Sequence, residues 1–511
     1  MNALLFWNQD VKRLYLSILV GIASTVACVA TFILPRESQR GMTVILLILS
    51  VLFAFLWCWP ATSRYCSNKT DFFHPSFLFV GFYIVYFVFS GALISFLHDY
   101  RSNWVHLGSD PEFTVNTIYI FGIISVAAFG FGLRAKVLFP GKKIKGLLYH
   151  PDLFRNKEAK YVNVFFFLIG GALTLYHLSL FGPISIDFLR YLSPSAQLEL
   201  EFGWNNVLTM FESMLEWGAL FALFFFFLNH RSIHLGHKRG KLFLLIILFL
   251  VIGALAYTIA GKRSSVIPLL LLPLIWRHYL IKNLKIFNVF IYSWLIIAVV
   301  ALLLMVRIIV PLVVQDIDVG NSIGGSIGEI TEFYMDSPEL ATFDMVVASF
   351  LQRESLLTEM GGALRAFYKY NVETIFLSFV PPGIWVEKPT YEDPGHIFFQ
   401  ILTGSNSNVG FAVTVWGTSF LFLHVLGIVL GMFILGWVFK GIYQLLRPWE
   451  GRPFDVFYYA IFYLMAFQFL RFGSLGFTFI YFVTSMLTGI IAALFLSRNN
   501  VFFKLKHGRS L

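Results

Sequence analysis

Apolar runs of about 20 residues alternate with short polar connections along most of this chain, near 14–34, 42–60, 75–97, 116–139, 161–181, 206–228, 242–260, 264–281, 288–311, 409–439, 456–472 and 475–496. Each run is long enough to cross roughly 30 Å of hydrocarbon as a helix, and in lipid only a helix or a closed barrel satisfies its own backbone. The pattern predicts an all-α, polytopic membrane protein of about 12 transmembrane helices. The run at 264–281 is the most interrupted, with Pro268 and Pro273 inside it and Arg277 and His278 crowding its end.

The alternation stops once. Between Pro311 and Gly410 no run can span a bilayer, which divides the chain into nine predicted helices over 1–311, a large loop over 312–408, and three further helices with a basic tail over 409–511. The loop has its own helical signals. Ser337-Pro338-Glu339 is a helix start with Ser as N-cap and Pro in the first turn, and Leu340, Phe343, Val346, Val347, Phe350 and Leu351 follow at helical spacing. Gly361-Gly362 is placed to break that helix, a second begins near Asn371, and Pro381-Pro382 stops it. Four glycines in 317–328 and the Pro-punctuated stretch before His396 give the loop flexible ends, as a lid over a site requires.

Charge assigns the faces. With the N-terminus inside, the short connections that fall in the cytoplasm collect 26 of the 38 Lys and Arg residues, and the outer side collects 22 of the 28 Asp and Glu. The large loop alone holds thirteen acidic residues against four basic ones. By the positive-inside rule both termini are cytoplasmic and the large loop lies outside, in the periplasm if the membrane is a bacterial inner membrane. The formal charge of +10 then reflects topology and attraction to anionic lipid headgroups rather than nucleic acid. Lys12 and Arg13 before the first run read as an uncleaved first span.

Composition excludes a soluble chain, at 58% hydrophobic and only 13% charged residues. Cys28, Cys58 and Cys66 all lie in or near the first two spans, which implies neither a disulfide framework nor a zinc site. Phosphate-loop, dinucleotide-fold, nucleophile-elbow and His-Glu-x-x-His patterns are missing, so no cofactor and no metal are expected.

Candidate chemistry sits at the outer ends of the spans, where a charge next to hydrocarbon is costly and needs a partner or a substrate. Lys262 and Arg263 occupy a tight turn on the side the basic residues otherwise avoid. Arg307 lies near the outer end of span nine, Arg471 at the break between spans eleven and twelve, and Arg190 and Arg365 in outer loops. Several outward cations beside a membrane match a lipid-borne diphosphate, because guanidinium forks fit phosphate oxygens; each alone also reads as a helix-end anchor. For a catalytic base the candidates are Glu212, one turn from Glu216 on span six, and His396 just before span ten. Glu216 equally fits a counter-ion to the cations.

Two short patches resemble the O-antigen polymerase group of oligosaccharide repeat-unit polymerases, which is related in architecture to O-antigen ligases. One is Ala260-Gly261-Lys262-Arg263-Ser264-Ser265 at the opening of a span. The other runs from Pro381-Pro382-Gly383 and Lys388-Pro389 through Asn406-Ser407-Asn408-Val409-Gly410-Phe411 to Trp416-Gly417, Gly427, Gly431 and Gly436. The resemblance implies a GT-C-like membrane glycosyltransferase, metal-independent and inverting, that joins an undecaprenyl-diphosphate-linked glycan donor to a lipid-linked acceptor on the periplasmic face. Lys262, Arg263, Arg307, Arg471, Arg190 and Arg365 would hold the diphosphate, His396 or Glu212 would take the acceptor proton, and a chain-length regulator protein is an implied partner. Trp385, Tyr391 and Trp416 are candidates for stacking on sugars. Rival classes are a transporter or flippase of lipid-linked glycans, and a ligase that shares the same chemistry. A two-fold internal repeat, the usual mark of the transporter class, is not visible.

Overall fold

The computed structural model describes residues 2–33, 35, 39–58, 71–92, 111–136, 165–166, 168–172, much of 213–228, 266–281, 284, 288, 291, 342–379, 413–491 and 493. All regular structure among them is helical. In chain order the helices are α1 (Asn2–Ile33), α2 (Gln39–Cys58), α3 (Pro75–Phe82), α4 (Pro111–Arg134), α5 (Val266–Trp276), α6 (Thr342–Leu351), α7 (Arg353–Glu359), α8 (Ala363–Tyr368), α9 (Thr374–Phe379), α10 (Thr414–Leu446), α11 (Pro453–Phe472) and α12 (Leu475–Tyr481). α3, α5 and α12 each continue through a wider π-type segment, and a further one, Lys369–Glu373, joins α8 to α9. Six helical segments are long and apolar enough to cross a membrane: Tyr15–Ile33, Gln39–Cys58, Pro75–Ala92, Glu112–Arg134, Thr414–Glu450 and Pro453–Phe472. The chain is therefore an all-α, membrane-spanning protein. The remaining predicted spans lie wholly or partly outside the described residues or form shorter apolar helices, as at Leu270–Ile281 and Leu475–Ile491.

The central contact is α4 against α10. A Cβ on Gly132 would meet the Phe433 carbonyl oxygen at 2.1 Å, and one on Gly436 would meet that of Phe129 at 2.2 Å, so the two backbones touch. Glycine is required because lipid supplies no hydrophobic drive for helix association, which leaves close packing to hold such a crossing. Beside it Phe79 stacks on Phe129 with ring centroids 3.7 Å apart, and Lys440 donates to the Ala135 carbonyl at 2.8 Å, satisfying the end of α4. A polar knot ties α1, α2 and α4 at the other end of α4: Gln39 donates to Thr31 O at 2.9 Å, Asn116 donates to Gln39 O and Oε1 at 3.0 Å each, and Thr43 donates to Asn116 Oδ1 at 2.7 Å.

Two features depart from the sequence-based expectation. The apolar run at 409–439 predicts one straight span, whereas α10 breaks at His424, whose φ of 57° and ψ of −147° are far from helical. The chain folds back there, since a Cβ on Gly427 would sit 1.9 Å from the Ser419 carbonyl oxygen. Hydropathy cannot register such a break, because both arms are equally apolar. The second departure is in the large loop. Gly361 and Gly362 do break the helix, at φ of 77° and 99°, but no break precedes Asn371, where the chain runs through α8, the π-type segment and α9 to Phe379. α6 buries Phe343, Val346 and Val347 among Phe87, Tyr119 and α10, so this part of the loop is packed into the bundle.

Candidate functional site

α11 ends at Gly473 in the left-handed region (φ 65°), donating its amide to Phe469 O at 2.8 Å, and Ser474 then caps α12 by accepting from Phe477 N at 3.3 Å. Glycine is needed twice over: for its φ, and because a Cβ would lie 2.2 Å from the Thr414 carbonyl oxygen. This break is where the large loop docks. Tyr370 donates to Phe472 O at 2.9 Å, Ser474 donates to Tyr370 O at 2.6 Å, and the Leu475 amide donates to Asn371 Oδ1 at 2.9 Å.

Arg471 stands in the last turn of α11, half-exposed, with its guanidinium 5.1 Å from the centre of the Phe472 ring. Beneath it are buried polar groups that a lipid-facing bundle has no structural need for. Gln468 is fully buried one turn back, Tyr481 faces it from α12, and both Glu216 and Arg471 act by charge on the Tyr481 phenol. Glu216 is 3% exposed. Its neighbour Trp217 donates to Ser485 O at 2.6 Å and packs on Phe457, near the opposite end of α11, so Glu216 lies deeper in the bundle than a position at the outer end of span six implies. Ser213, one turn earlier, donates to Thr488 at 3.1 Å.

Of the residues singled out from sequence, Arg471 and Glu216 both lie within electrostatic reach of Tyr481 here. Arg365 is exposed on α8, packed over Gly361. Lys262, Arg263, Arg307, Arg190, Glu212, His396, Trp385 and Tyr391 lie outside the described residues. Trp416 is 1% exposed and donates to Ser125 Oγ at 3.0 Å, which makes it a core residue and not a sugar platform.

A second polar cluster, at the far end of α11, was not signalled by sequence. Asp71 is fully buried before α3. Its oxygens accept from the Phe73 amide at 3.0 Å, from Tyr279 at 2.7 and 2.9 Å and from Tyr443, with His278 Nε2 at 3.3 Å. His278 Nδ1 accepts from the Leu284 amide at 3.0 Å, so the ring presents Nε2–H to Asp71. Tyr459 donates to the Phe73 carbonyl. Burial pushes the Asp71 carboxyl up, but hydrogen bonds from His278 and Tyr443 and the charges of the two histidines outweigh it and hold the group below the usual carboxylate range. His74 caps α3, its Nδ1 accepting from Ser76 N at 3.2 Å, and burial pushes its pKa down to about 4 against the partial opposition of Asp71. Every ring nitrogen of His278 and every Asp71 oxygen is thus committed to holding the start of α3, the end of α5 and α10 together, and Tyr459 adds α11 through the Phe73 carbonyl, which is a clamp rather than a reaction centre. The cue was present only as Asp71 and His74 in one connection and His278 in a distant one, which sequence alone cannot bring together. Comparison with known protein families, with curated proteins and with solved structures finds no match for this chain.

Proposed function

We propose that this protein is a membrane glycosyltransferase that polymerises undecaprenyl-diphosphate-linked oligosaccharide repeat units on the non-cytoplasmic face of a bacterial inner membrane. One observation carries the reading: the large-loop segment around Tyr370 and Asn371 docks directly on the Arg471–Leu475 break, above the buried set of Glu216, Gln468 and Tyr481. A cation at a helix break, a polar interior within apolar helices and a loop that covers both are the parts needed to bring a diphosphate, its sugar and its polyprenyl tail to one place. The division of residues between the two ends of α11 supports it too. Asp71, His278, Tyr443 and Tyr459, which the charge pattern assigns to the cytoplasmic side, gather at one end, and Arg471 with the large loop at the other.

In this mechanism the acceptor hydroxyl oxygen attacks the anomeric carbon of the donor from the face opposite the diphosphate. The carbon–oxygen bond to the diphosphate breaks as the new one forms, the electron pair leaves on the diphosphate oxygen, and the hydroxyl proton passes to a carboxylate or imidazole. Arg471 takes the developing charge, aided by whichever of Lys262, Arg263, Arg307, Arg190 and Arg365 reach the site. Glu216, Glu212 and His396 are the candidates for the base. The test is reconstitution with lipid-linked repeat units: polymer should form with the parent chain and vanish with Arg471→Ala. A deletion strain should carry single-repeat products, whereas a ligase deletion would leave polymer unattached.

Two observations favour a second reading, a flippase of the same lipid-linked glycan: a carboxylate deep among the helices and a helix broken at His424 are features of transporters. Movement of a labelled lipid-linked glycan across proteoliposomes without elongation would decide for it.

A further inference from the structure

Gln468 is fully buried on α11, flanked along its own helix by the buried Leu464 and Leu470. Among the described residues neither its amide nitrogen nor its amide oxygen has a hydrogen-bond partner, and the phenol oxygen of Tyr481, 6% exposed on α12, has none either. The two side chains lie close enough across the α11–α12 break to act on one another, yet neither satisfies the other in full hydrogen-bond geometry. Nearby polar groups are already committed: Ser213 to Thr488, the Trp217 indole to Ser485 O, and Ser474 to Tyr370 O. Buried polar atoms are almost always paired, and a leucine at 468 would serve the packing of an apolar bundle better. The pair therefore stands ready for something that is brought to it.

The chemistry of the three atoms narrows what that is. An amide offers two donors and an acceptor, a phenol offers one of each, and neither carries charge. An anion would be held by Arg471 and a cation by Glu216; between them, a neutral group that both donates and accepts fits best. A hydroxyl is such a group. We propose that Gln468 and Tyr481 form a subsite for a sugar hydroxyl, on the residue adjoining the diphosphate that Arg471 holds. This rests on the glycosyl-transfer reading of the same site and adds to it the residues that choose the sugar. A pocket built to pair a hydroxyl rejects an analogue lacking it, because its own buried groups are then left unpaired.

The experiment uses the full chain in lipid nanodiscs and two soluble probes, farnesyl diphosphate and farnesyl-diphosphate-linked N-acetylglucosamine, with Trp217 fluorescence or competition as readout. The parent chain should bind the sugar-bearing probe about tenfold more tightly than the bare diphosphate. Gln468→Leu and Tyr481→Phe should each bring that ratio towards one and leave affinity for the bare diphosphate unchanged, whereas Arg471→Ala should weaken both probes alike. Tyr481→Phe removes a single oxygen and gives the answer even if Gln468→Leu fails to fold. Retention of the full sugar preference in Tyr481→Phe overturns the subsite, as does a Gln468→Leu variant that gains thermal stability with the ratio intact, the behaviour of a packed or merely hydrated amide. A parent chain that binds the bare diphosphate but shows no sugar preference overturns it too. Binding of neither probe would instead remove the glycosyl-transfer reading, and the subsite with it.

Discussion

Arg471 occupies the one described position where a cation singled out from sequence, a helix break and buried polar side chains coincide, which makes it the most direct test of the proposed chemistry. Arg471→Ala should lower polymer formation by at least about 10²-fold, the size typical of removing a group that stabilises developing charge, with normal protein in the membrane. Arg471→Lys should recover only part of this, since a point charge cannot reproduce the two-pronged fit of a guanidinium to a diphosphate. Wild-type polymer from the alanine variant would make the residue an anchor. Glu216→Gln separates the roles left open by sequence: as base it should lose about 10² to 10⁴ in turnover with donor binding intact, while near-normal turnover would pass the role to Glu212 or His396. At the opposite end of α11, His74 and Asp71 make stability sensitive to acid. Both have folded pKa values below their unfolded ones, so the folded state holds fewer protons and stability is lost as pH falls. For His74 the window runs from about 6.5 down to about 4, and the loss amounts to about 3 kcal/mol at most. Asp71 adds to it only below the usual carboxylate range. His74→Asn keeps an N-cap acceptor and removes the titration, so its thermal stability in detergent should vary less than the parent's between pH 6.5 and 4. An unchanged slope would show that the clamp is not the acid-sensitive element.

At the scale of elements, glycine decides where helices touch and where they end. Gly436→Ala would drive a methyl group into the Phe129 carbonyl, and Gly473→Ala would combine a strained φ with a clash against Thr414, so each should destabilise by about 1–3 kcal/mol, read as a lower unfolding temperature. Gly41→Ala, where nothing lies within 4 Å of the new Cβ, is the control and should be neutral. These elements show how far local sequence reaches. The helices of the large loop and their break at Gly361-Gly362 are legible, because apolar spacing and a left-handed glycine pair are local properties. The fold-back at His424 is not legible, since histidine carries no turn signal and apolar residues on both sides continue the period. Nor is the docking of Asn371 on Leu475, which sequence reads as the start of a helix; its side chain instead serves an amide 104 residues away. Arg471 was visible as a charge in the wrong place, yet its buried companions Gln468 and Tyr481 read as ordinary span residues.

For the whole molecule the decisive quantity is which end of the bundle faces which compartment. α11 separates Tyr459, at the Asp71 clamp, from Arg471 by about 18 Å at 1.5 Å per residue, more than half the roughly 30 Å of a hydrocarbon core, so in the proposed arrangement the two polar clusters face different aqueous sides. The orientation we propose from the charge count puts the clamp in the cytoplasm and the break outside, because basic residues are retained inside while a weakly charged or acidic loop is free to cross. A reporter fused after Gly146 or after Gly240 should therefore read cytoplasmic, and one inserted near Asp336 should read periplasmic. A thiol introduced in the large loop at Leu364, 84% exposed on α8, should react with a membrane-impermeant reagent in intact cells without first opening the membrane. If Leu364→Cys reacts only after permeabilisation and the Asp336 insertion reports cytoplasmic, then Arg471, Gln468 and Glu216 open to the side where lipid-linked repeat units are made and not where they are joined. Polymerisation at this site would then have no substrate within reach.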